Sequence, residues 1–236
     1  GAALDITGGS EGGSLTGGDI TLGENATLDV TYASECGIMT GGNITIAGGS
    51  HVSTSHVSEC GIMTGGDITL VGSGSTLDIS GTEKYGLRLA SAAVNVDVQE
   101  GAVLTIKDAS GYGIGADYTN SYVSVFRGGK CVVSTTGASG IRNGTVDVSG
   151  GGILEVSAPK GAALDGVSLN AGGTSLITAD GGTSDTSGGT SVITGGSVLL
   201  RSAESVVDGQ LVSAAGGGKV DPVPVNNAGE SLTRFD

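Results

Sequence analysis

Apolar and polar residues alternate in short segments along the chain. Residues 28–30 (Leu-Asp-Val) and 77–79 (Leu-Asp-Ile) are two examples. A period of two places the apolar side chains on one face of a β-strand and the polar side chain on the other. Gly-Gly, Gly-Ser and Asn-containing turns separate the segments. The pattern predicts many short strands, and no segment has the 3.6-residue apolar period of an α-helix.

The segments recur with a period of about 24 residues. Residues 36–45 are CGIMTGGNIT, residues 60–69 are CGIMTGGDIT, and residues 12–21 fit the same register as GGSLTGGDIT. Triplets of the Leu-Asp-Ile type recur with the same spacing, so two independent motifs share one period. Three short strands in each repeat of this length are typical of a parallel β-helix, whose coils stack about 4.8 Å apart.

We therefore predict an all-β, single-domain parallel β-helix, or β-solenoid, of about nine coils over residues 1–218. The chain of 236 residues has 47 glycines and 3 prolines, a composition that suits tight turns. Residues 219–236 are expected to form a C-terminal cap or linker toward a missing downstream segment, since Pro222 and Pro224 interrupt the repeat. The leucines of the triplets are expected to point into the core: Leu4, Leu28, Leu77, Leu104 and Leu154.

The charge of the chain is strongly acidic. Its formal net charge is −14, and no Lys or Arg precedes Lys84. Phosphate groups need a basic surface to release their counterions, so we expect no binding to nucleic acid or to an anionic membrane. Apolar runs are also shorter than the about 18 residues of a membrane span, which predicts no membrane insertion.

Two of the three cysteines, Cys36 and Cys60, occupy equivalent positions 24 residues apart. Their Cα atoms should lie about one coil spacing apart, which permits a disulfide. Parallel Cβ vectors would leave the Cβ atoms slightly too far apart, so we favour a stacked pair of small, half-buried thiols over a disulfide. Zinc binding is a third alternative, but further ligands are lacking.

Oxygen-bearing side chains also recur at the repeat spacing. They form two predicted ladders: Glu11, Glu35 and Glu59, and Asp19, Asn43 and Asp67. Carboxylate and amide oxygens suit Ca²⁺, so these six residues are candidate calcium ligands. Lys84 occupies the next position after the glutamates and would relieve their repulsion. The alternative is ordinary solvation, because Asp and Asn commonly bond their own backbone at turns.

Aromatic and basic residues cluster in the longest predicted coil, residues 112–139. The candidate ligand-binding residues are Tyr112, Tyr118, Tyr122, Arg127 and Lys130. Tyrosine rings stack on sugars, and Arg or Lys binds carboxylates, so the cluster predicts a shallow glycan-contact surface. The alternative is a small packing core beneath a loop.

Catalytic chemistry is not expected. The only two histidines, His51 and His56, lie in a Ser/Thr-rich segment that we interpret as a solvated turn. No short motif places the basic residues beside a cluster of Asp residues, as a lyase or a hydrolase would require. The chain is therefore expected not to be an enzyme.

The pattern Gly-Ile-x-Thr-Gly-Gly-Asp-Ile-Thr-Ile followed by Leu-Asp-Ile resembles the right-handed parallel β-helix segments in surface proteins of gut and soil Firmicutes. The resemblance covers residues 1 to about 215. It implies a pectate-lyase-like fold without a lyase site, in a secreted or cell-wall protein. Some of these proteins are calcium-dependent sugar binders, so Ca²⁺ is the cofactor that the resemblance implies.

The sequence therefore favours a non-catalytic extracellular binding or adhesion module whose partner is a polysaccharide or a host or cell-surface glycan. The first alternative is a structural spacer that displays other domains. The second alternative is a polysaccharide lyase or hydrolase.

Overall fold

The computed structural model describes residues 2–7, 12–182, 184–187, 190–193, 197–202, 205–208, 211–214 and 219–223. Side chains are described for residues 2–7 and 17–182. The described residues form 26 strands and no helix, and the strands pair in parallel. The predicted parallel β-solenoid is therefore confirmed.

Sheet A forms one side of the solenoid and takes one strand from each coil. Its order is β1 (Ala3–Thr7), β4 (Thr27–Thr31), β7 (His51–Val57), β10 (Thr76–Thr82), β13 (Val103–Ala109), β16 (Lys130–Thr135), β18 (Ile153–Ala158), β20 (Leu176–Gly181), β23 (Ser197–Ser202) and β26 (Lys219–Val223). Register partners lie 24 residues apart from β1 to β4 and 27 residues apart from β10 to β13. One repeat of the sequence thus corresponds to one coil of the solenoid.

Sheet B forms the other two sides as two rows of strands. The first row is β2 (Gly12–Thr16), β5 (Cys36–Thr40), β8 (Cys60–Thr64), β11 (Tyr85–Leu89) and β14 (Tyr112–Ala116). The second row is β3 (Ile20–Leu22), β6 (Ile44–Ile46), β9 (Ile68–Val71), β12 (Asn95–Gln99) and β15 (Tyr122–Phe126). Two longer strands, β17 (Ile141–Val148) and β19 (Ala162–Ala171), cross both rows and join them. The rows continue as β21 (Ser184–Ser187), β22 (Thr190–Ile193), β24 (Ser205–Asp208) and β25 (Leu211–Ala214).

The solenoid makes about seven turns over the part with described side chains, from β1 to β20, slightly fewer than the predicted nine. The two strands β23 and β26 then extend sheet A, and Pro222 of β26 is the register partner of Leu200. Residues 224–236 lie outside the described residues, so the cap or linker proposed for residues 219–236 stays a prediction.

The core is a column of aliphatic side chains. Leu28, Leu77, Leu104 and Leu154 are buried, as the alternating pattern predicts. Leu4 is 58% exposed, so the prediction that it points into a closed core is wrong. Its register partner Leu28 covers it from one side, but β1 is the first strand of sheet A and no described strand pairs with its other side.

A column of glycines makes the narrow core possible: Gly37, Gly61, Gly86, Gly113 and Gly140. A Cβ added at Gly86 would lie 2.3 Å from Cγ2 of Ile106 and 2.6 Å from the carbonyl oxygen of Gly113. A Cβ added at Gly113 would lie 2.1 Å from Cγ1 of Val133. Sheet A packs so closely on the first row of sheet B that this column has no room for a side chain.

No helix among the described residues has both the length and the apolar character that a membrane crossing requires.

Candidate functional site

The outer surface of the first row of sheet B carries two stacked tyrosines. Tyr85 on β11 and Tyr112 on β14 are register partners, and their ring centroids are 5.4 Å apart with an interplanar angle of 27°. The Tyr85 ring extends over Gly115, where an added Cβ would lie 2.6 Å from the ring. The repeat thus places the rings one coil apart, and Gly115 leaves space for one of them.

Two arginines flank the stacked rings. Arg88 and Arg142 are both register partners of Gly115, one on each side, so they lie two coils apart. The guanidinium carbon of Arg88 is 5.7 Å from the centroid of Tyr85, and that of Arg142 is 4.8 Å from the centroid of Tyr112. Both distances suit cation–π contacts. Tyr85, Arg88, Tyr112 and Arg142 are all half-buried, and we call them the tyrosine–arginine face.

Arg88 is held in place by a carboxylate. Its Nη2 donates to Oδ2 of Asp117 at 2.9 Å, and its Nη1 lies 3.9 Å from the sulfur of Met63. The hydrogen bond to Asp117 raises the pKa of the Arg88 guanidinium, while burial acts in the opposite direction. The ion pair thus orients the guanidinium beside the Tyr85 ring.

Of the five predicted ligand-binding residues, only Tyr112 belongs to the tyrosine–arginine face. Tyr118 lies in the turn after β14 and is 50% exposed, and Tyr122 begins β15 in the second row and is 44% exposed. Arg127 follows β15 and pairs with Glu100 at 3.3 Å. Lys130 begins β16 in sheet A and pairs with Glu155 at 3.0 Å. The structure thus spreads the predicted cluster over the three sides of one coil, because β14, β15 and β16 lie on different sides.

Tyr85, Arg88 and Arg142 are not among the residues predicted for the site. Comparison of equivalent positions in successive repeats could have identified them. Tyr85 occupies the column of Tyr112, while Arg88 and Arg142 share the column of Gly115. Because the residues come from three coils, proximity along the chain conceals them, and only comparison by column brings them together.

One predicted calcium ladder forms hydrogen bonds to the backbone of the neighbouring coil. The Oδ1 atom of Asp19 accepts from the amide of Asn43, that of Asn43 from the amide of Asp67, and that of Asp67 from the amide of Asn95, each at 2.8 Å. The ladder therefore ties four successive coils together. Each of these oxygens thus has a structural role in the rod.

The glutamate ladder is described in part. Glu11 lies outside the described residues, and Glu59 forms an ion pair with Lys84, as the repulsion argument expected. Within residues 2–7 and 17–182, no group of three or more His, Cys, Asp or Glu side chains is arranged to hold a metal ion. Calcium binding by either ladder therefore stays a prediction.

Cys36 and Cys60 form a disulfide, so the favoured interpretation of two free thiols is wrong. Their Cα atoms are 4.5 Å apart, because adjacent coils bring register partners within disulfide range. Sequence analysis allowed this distance but treated the Cβ directions as fixed. The third cysteine, Cys131, is free and buried, and burial raises the pKa of its thiol to about 12.

The histidines lie in a strand, so the predicted turn is wrong, although His56 is exposed and the His51 side chain is 39% exposed. Residues His51–Val57 form β7, and Nδ1 of His51 is 2.5 Å from the hydroxyl of Thr76. The ring lies between two carboxylates, 3.8 Å from Asp29 and 3.6 Å from Asp78. The hydroxyl of Ser53 donates to Asp29 rather than to the imidazole, so the cluster does not have the geometry of a Ser-His-Asp triad.

Two concave regions lie away from the tyrosine–arginine face. One, of about 320 Å³, lies beside the exposed Leu4 where the coil stack begins. The other, of about 430 Å³, is a groove on sheet A lined in part by Val132, Glu155 and Asp180. Neither region contains an aromatic side chain on which a sugar ring would stack.

No family model matches the chain, and no curated protein and no solved structure matches it either.

Proposed function

We propose that the chain is a non-catalytic extracellular binding or adhesion module that recognises polysaccharide through the tyrosine–arginine face. The observation that carries this proposal is the stack of Tyr85 and Tyr112, flanked by Arg88 and Arg142 on the outer surface of three adjacent coils. Tyrosine offers an apolar ring face and a hydroxyl at its edge, which match the apolar faces and hydroxyl edges of sugars.

The repetition of the solenoid suits a repetitive ligand. Coils recur about every 4.8 Å, so a glycan lying along the solenoid would meet side chains at intervals comparable to one sugar residue. The face has no deep pocket and buries little ligand surface. We therefore expect weak binding of each chain, with dissociation constants of about 1 μM to 1 mM.

The proposed location and partner follow from the resemblance of the repeat to Firmicutes surface proteins. We propose a secreted or cell-wall location, like that of the Firmicutes surface proteins, and a polysaccharide or a host or cell-surface glycan as partner. We keep Ca²⁺ as a candidate cofactor of the acidic coils. A free, half-exposed aromatic surface is what distinguishes this proposal from a purely structural spacer.

The spacer alternative has its own support. A disulfide joins β5 to β8, and hydrogen bonds of side chains to backbone tie four coils through Asn43 and its equivalents. Such cross-links stiffen a rod whether or not it binds a ligand. The two functions are separated by whether the outer tyrosines contribute to binding.

The test is a glycan array of neutral and acidic polysaccharides probed with the wild-type protein, followed by titration of the best ligand. Tyr112→Leu removes the ring and keeps an apolar side chain, and we expect at least tenfold weaker binding. Tyr118→Leu, at the exposed tyrosine in the next turn, is the matched control and should change binding less than twofold. Absence of any bound glycan, or unchanged binding by a folded Tyr112→Leu variant, would overturn the proposal.

A further inference from the structure

Arg142 differs from most of the neighbouring cations in its partners. Four others pair with carboxylates: Lys84 with Glu59, Arg88 with Asp117, Arg127 with Glu100, and Lys130 with Glu155. Among the described residues, no carboxylate oxygen lies within 4.0 Å of a guanidinium nitrogen of Arg142. Of the two arginines of the tyrosine–arginine face, Arg142 is thus the one that forms no ion pair.

Two residues flank Arg142 in its column. On one side lies Gly115, which has no side chain, and on the other lies Asp165 of β19. Oδ2 of Asp165 accepts a hydrogen bond from the hydroxyl of Ser139 at 3.3 Å, and its carboxylate is not within 4.0 Å of the Arg142 guanidinium nitrogens. The guanidinium lies over the Tyr112 ring, at 4.8 Å from its centroid.

The Arg142 guanidinium is held near the Tyr112 ring, with its carbon 4.8 Å from the ring centroid. Its five N–H donors lie in the plane of the group, and a cation–π contact does not require them as hydrogen-bond donors. The donors are thus available at the edge, in the fork geometry that binds a planar carboxylate, or a sulfate, through two parallel hydrogen bonds. Tyr112 has Tyr85 on one side and Arg142 on the other, so its hydroxyl-bearing edge, rather than a ring face, is the part that a sugar bound beside Arg142 would contact.

We infer that the ligand of the tyrosine–arginine face is a glycan that bears an anionic group, and that Arg142 binds this group while the edge of Tyr112 contacts the adjoining sugar. The inference rests on the proposed function of the face. The anion is the carboxylate of a uronic acid or a sulfate ester, since both match the guanidinium fork. Arg88 already forms an ion pair with Asp117, so Arg142 is the cation that we assign to the anion.

The net charge of the chain sharpens this inference. A chain of formal charge −14 repels polyanions at long range, so a favourable contact with an acidic glycan has to come from a local, unpaired cation. Arg142 offers such a contact on the aromatic surface.

The experiment compares three probes by calorimetric titration of the whole chain: an oligogalacturonate, its carboxyl-reduced neutral counterpart, and a sulfated galactan oligosaccharide. We expect the wild type to bind at least one acidic probe about tenfold more tightly than the neutral probe. Arg142→Gln should remove this preference by weakening the acidic probe about tenfold and the neutral probe less than twofold. Arg142→Lys should restore part of it, because lysine keeps the charge but loses the fork.

Lys107→Gln is the matched control, since it removes one exposed positive charge from sheet A, away from the face. It should leave the preference unchanged. Which acidic probe binds more tightly distinguishes a carboxylate from a sulfate ligand.

Each contrary result has a distinct meaning. Equal binding of neutral and acidic probes by the wild type, with both weakened by Tyr112→Leu, overturns the role of Arg142 but keeps glycan binding. Equal weakening of all probes by a less stable Arg142→Gln variant also overturns it and identifies Arg142 as a packing residue. Failure of every probe and of the array overturns the inference together with the proposed function.

Discussion

The N-terminal coils, up to β9, and the central coils, from β10 to β17, have different side chains at equivalent positions of the repeat. We call a set of such equivalent positions in successive coils a column. In one column the residues are the buried Cys36 and Cys60 in the first region and the half-buried Tyr85 and Tyr112 in the second. The cysteines form a covalent bond between coils, whereas the tyrosines form a stack that contacts two arginines. Register and spacing are common to both pairs, so the side chains alone decide whether a column cross-links the rod or presents a surface.

A second column repeats this contrast. Asp19, Asn43 and Asp67 direct their side-chain oxygens to backbone amides of the next coil. The column continues through Asn95 to Tyr122, which is 44% exposed. In this column the N-terminal side chains bond to the backbone of the next coil, whereas its central member is a partly exposed ring. The same position of the repeat thus links coils in one region and lies at the surface in the other.

The largest expected effect comes from the glycine column that both regions share. Gly86→Val would place side-chain atoms against Ile106 and the backbone of Gly113, where even a Cβ would lie at 2.3 and 2.6 Å. We expect a loss of more than about 4 kcal/mol in the free energy of unfolding, measured by urea denaturation. Gly23→Val is the control, because no atom lies within 4 Å of its added Cβ. Equal stability of the two variants would show that the two sheets do not pack at this distance.

The second largest effect is a loss of stability that is specific to the N-terminal coils. Replacing both cysteines, Cys36→Ala with Cys60→Ala, removes a cross-link between residues 24 positions apart. The expected loss is about 3 kcal/mol in the free energy of unfolding, because the unfolded chain is no longer constrained. Glycan binding should remain unchanged, since Tyr112 still stacks on Tyr85.

Two measurements check this prediction. Dithiothreitol should lower the melting temperature of the wild type and leave that of the double variant unaffected. A fully reduced wild type with an unaltered melting temperature would mean that the disulfide adds nothing to the stability of the N-terminal coils.

The smallest expected effect is on the pH dependence of stability, through Asp97 where the two regions meet. Burial raises the pKa of Asp97 on β12, the Ser124 hydroxyl lowers it in part, and Asp67 raises it further. The folded state thus binds a proton more tightly than the unfolded state. The contribution of Asp97 to stability is complete below its ordinary pKa of 3.8 and is lost as pH rises through the raised value.

Asp97→Asn removes the charge, so we expect the variant to gain stability relative to the wild type as pH rises from about 4 to 7. Urea denaturation across this range measures the difference. Asp147→Asn, in the same column two coils further, is the control for loss of a negative charge. A constant difference between Asp97→Asn and the wild type at every pH would contradict a raised pKa.

Much of the fold was predictable because the repeat is a local and redundant signal. Alternation placed Leu28, Leu77, Leu104 and Leu154 in the core, and the structure confirms their burial. Leu4 has the same local pattern but lies at the beginning of the stack, where its burial depends on what covers β1. Local pattern determines which way a side chain points, and neighbouring coils determine whether it is covered.

The candidate site was predictable only in part. Tyr112 was identified from its aromatic and basic neighbours in sequence, but those neighbours lie on other sides of the coil. Its spatial partners Tyr85 and Arg142 are 27 and 30 positions away in sequence. They are close in space only because each separation is about the length of one coil. A search by proximity along the chain therefore selects residues around one coil, whereas the site runs across several.

The sequence by itself determined the parallel β-solenoid, the column to which most residues belong and the direction of each strand residue. It could do so because stacking of equivalent residues requires the same pattern to recur once per coil. Only the tertiary structure decided what stacked residues do to one another. Whether Cys36 bonds to Cys60, whether Arg88 pairs with Asp117 and whether Arg142 lies over Tyr112 depend on side-chain torsions and on contacts between coils. These choices differ by a few kcal/mol at one and the same spacing, and the repeat does not encode them.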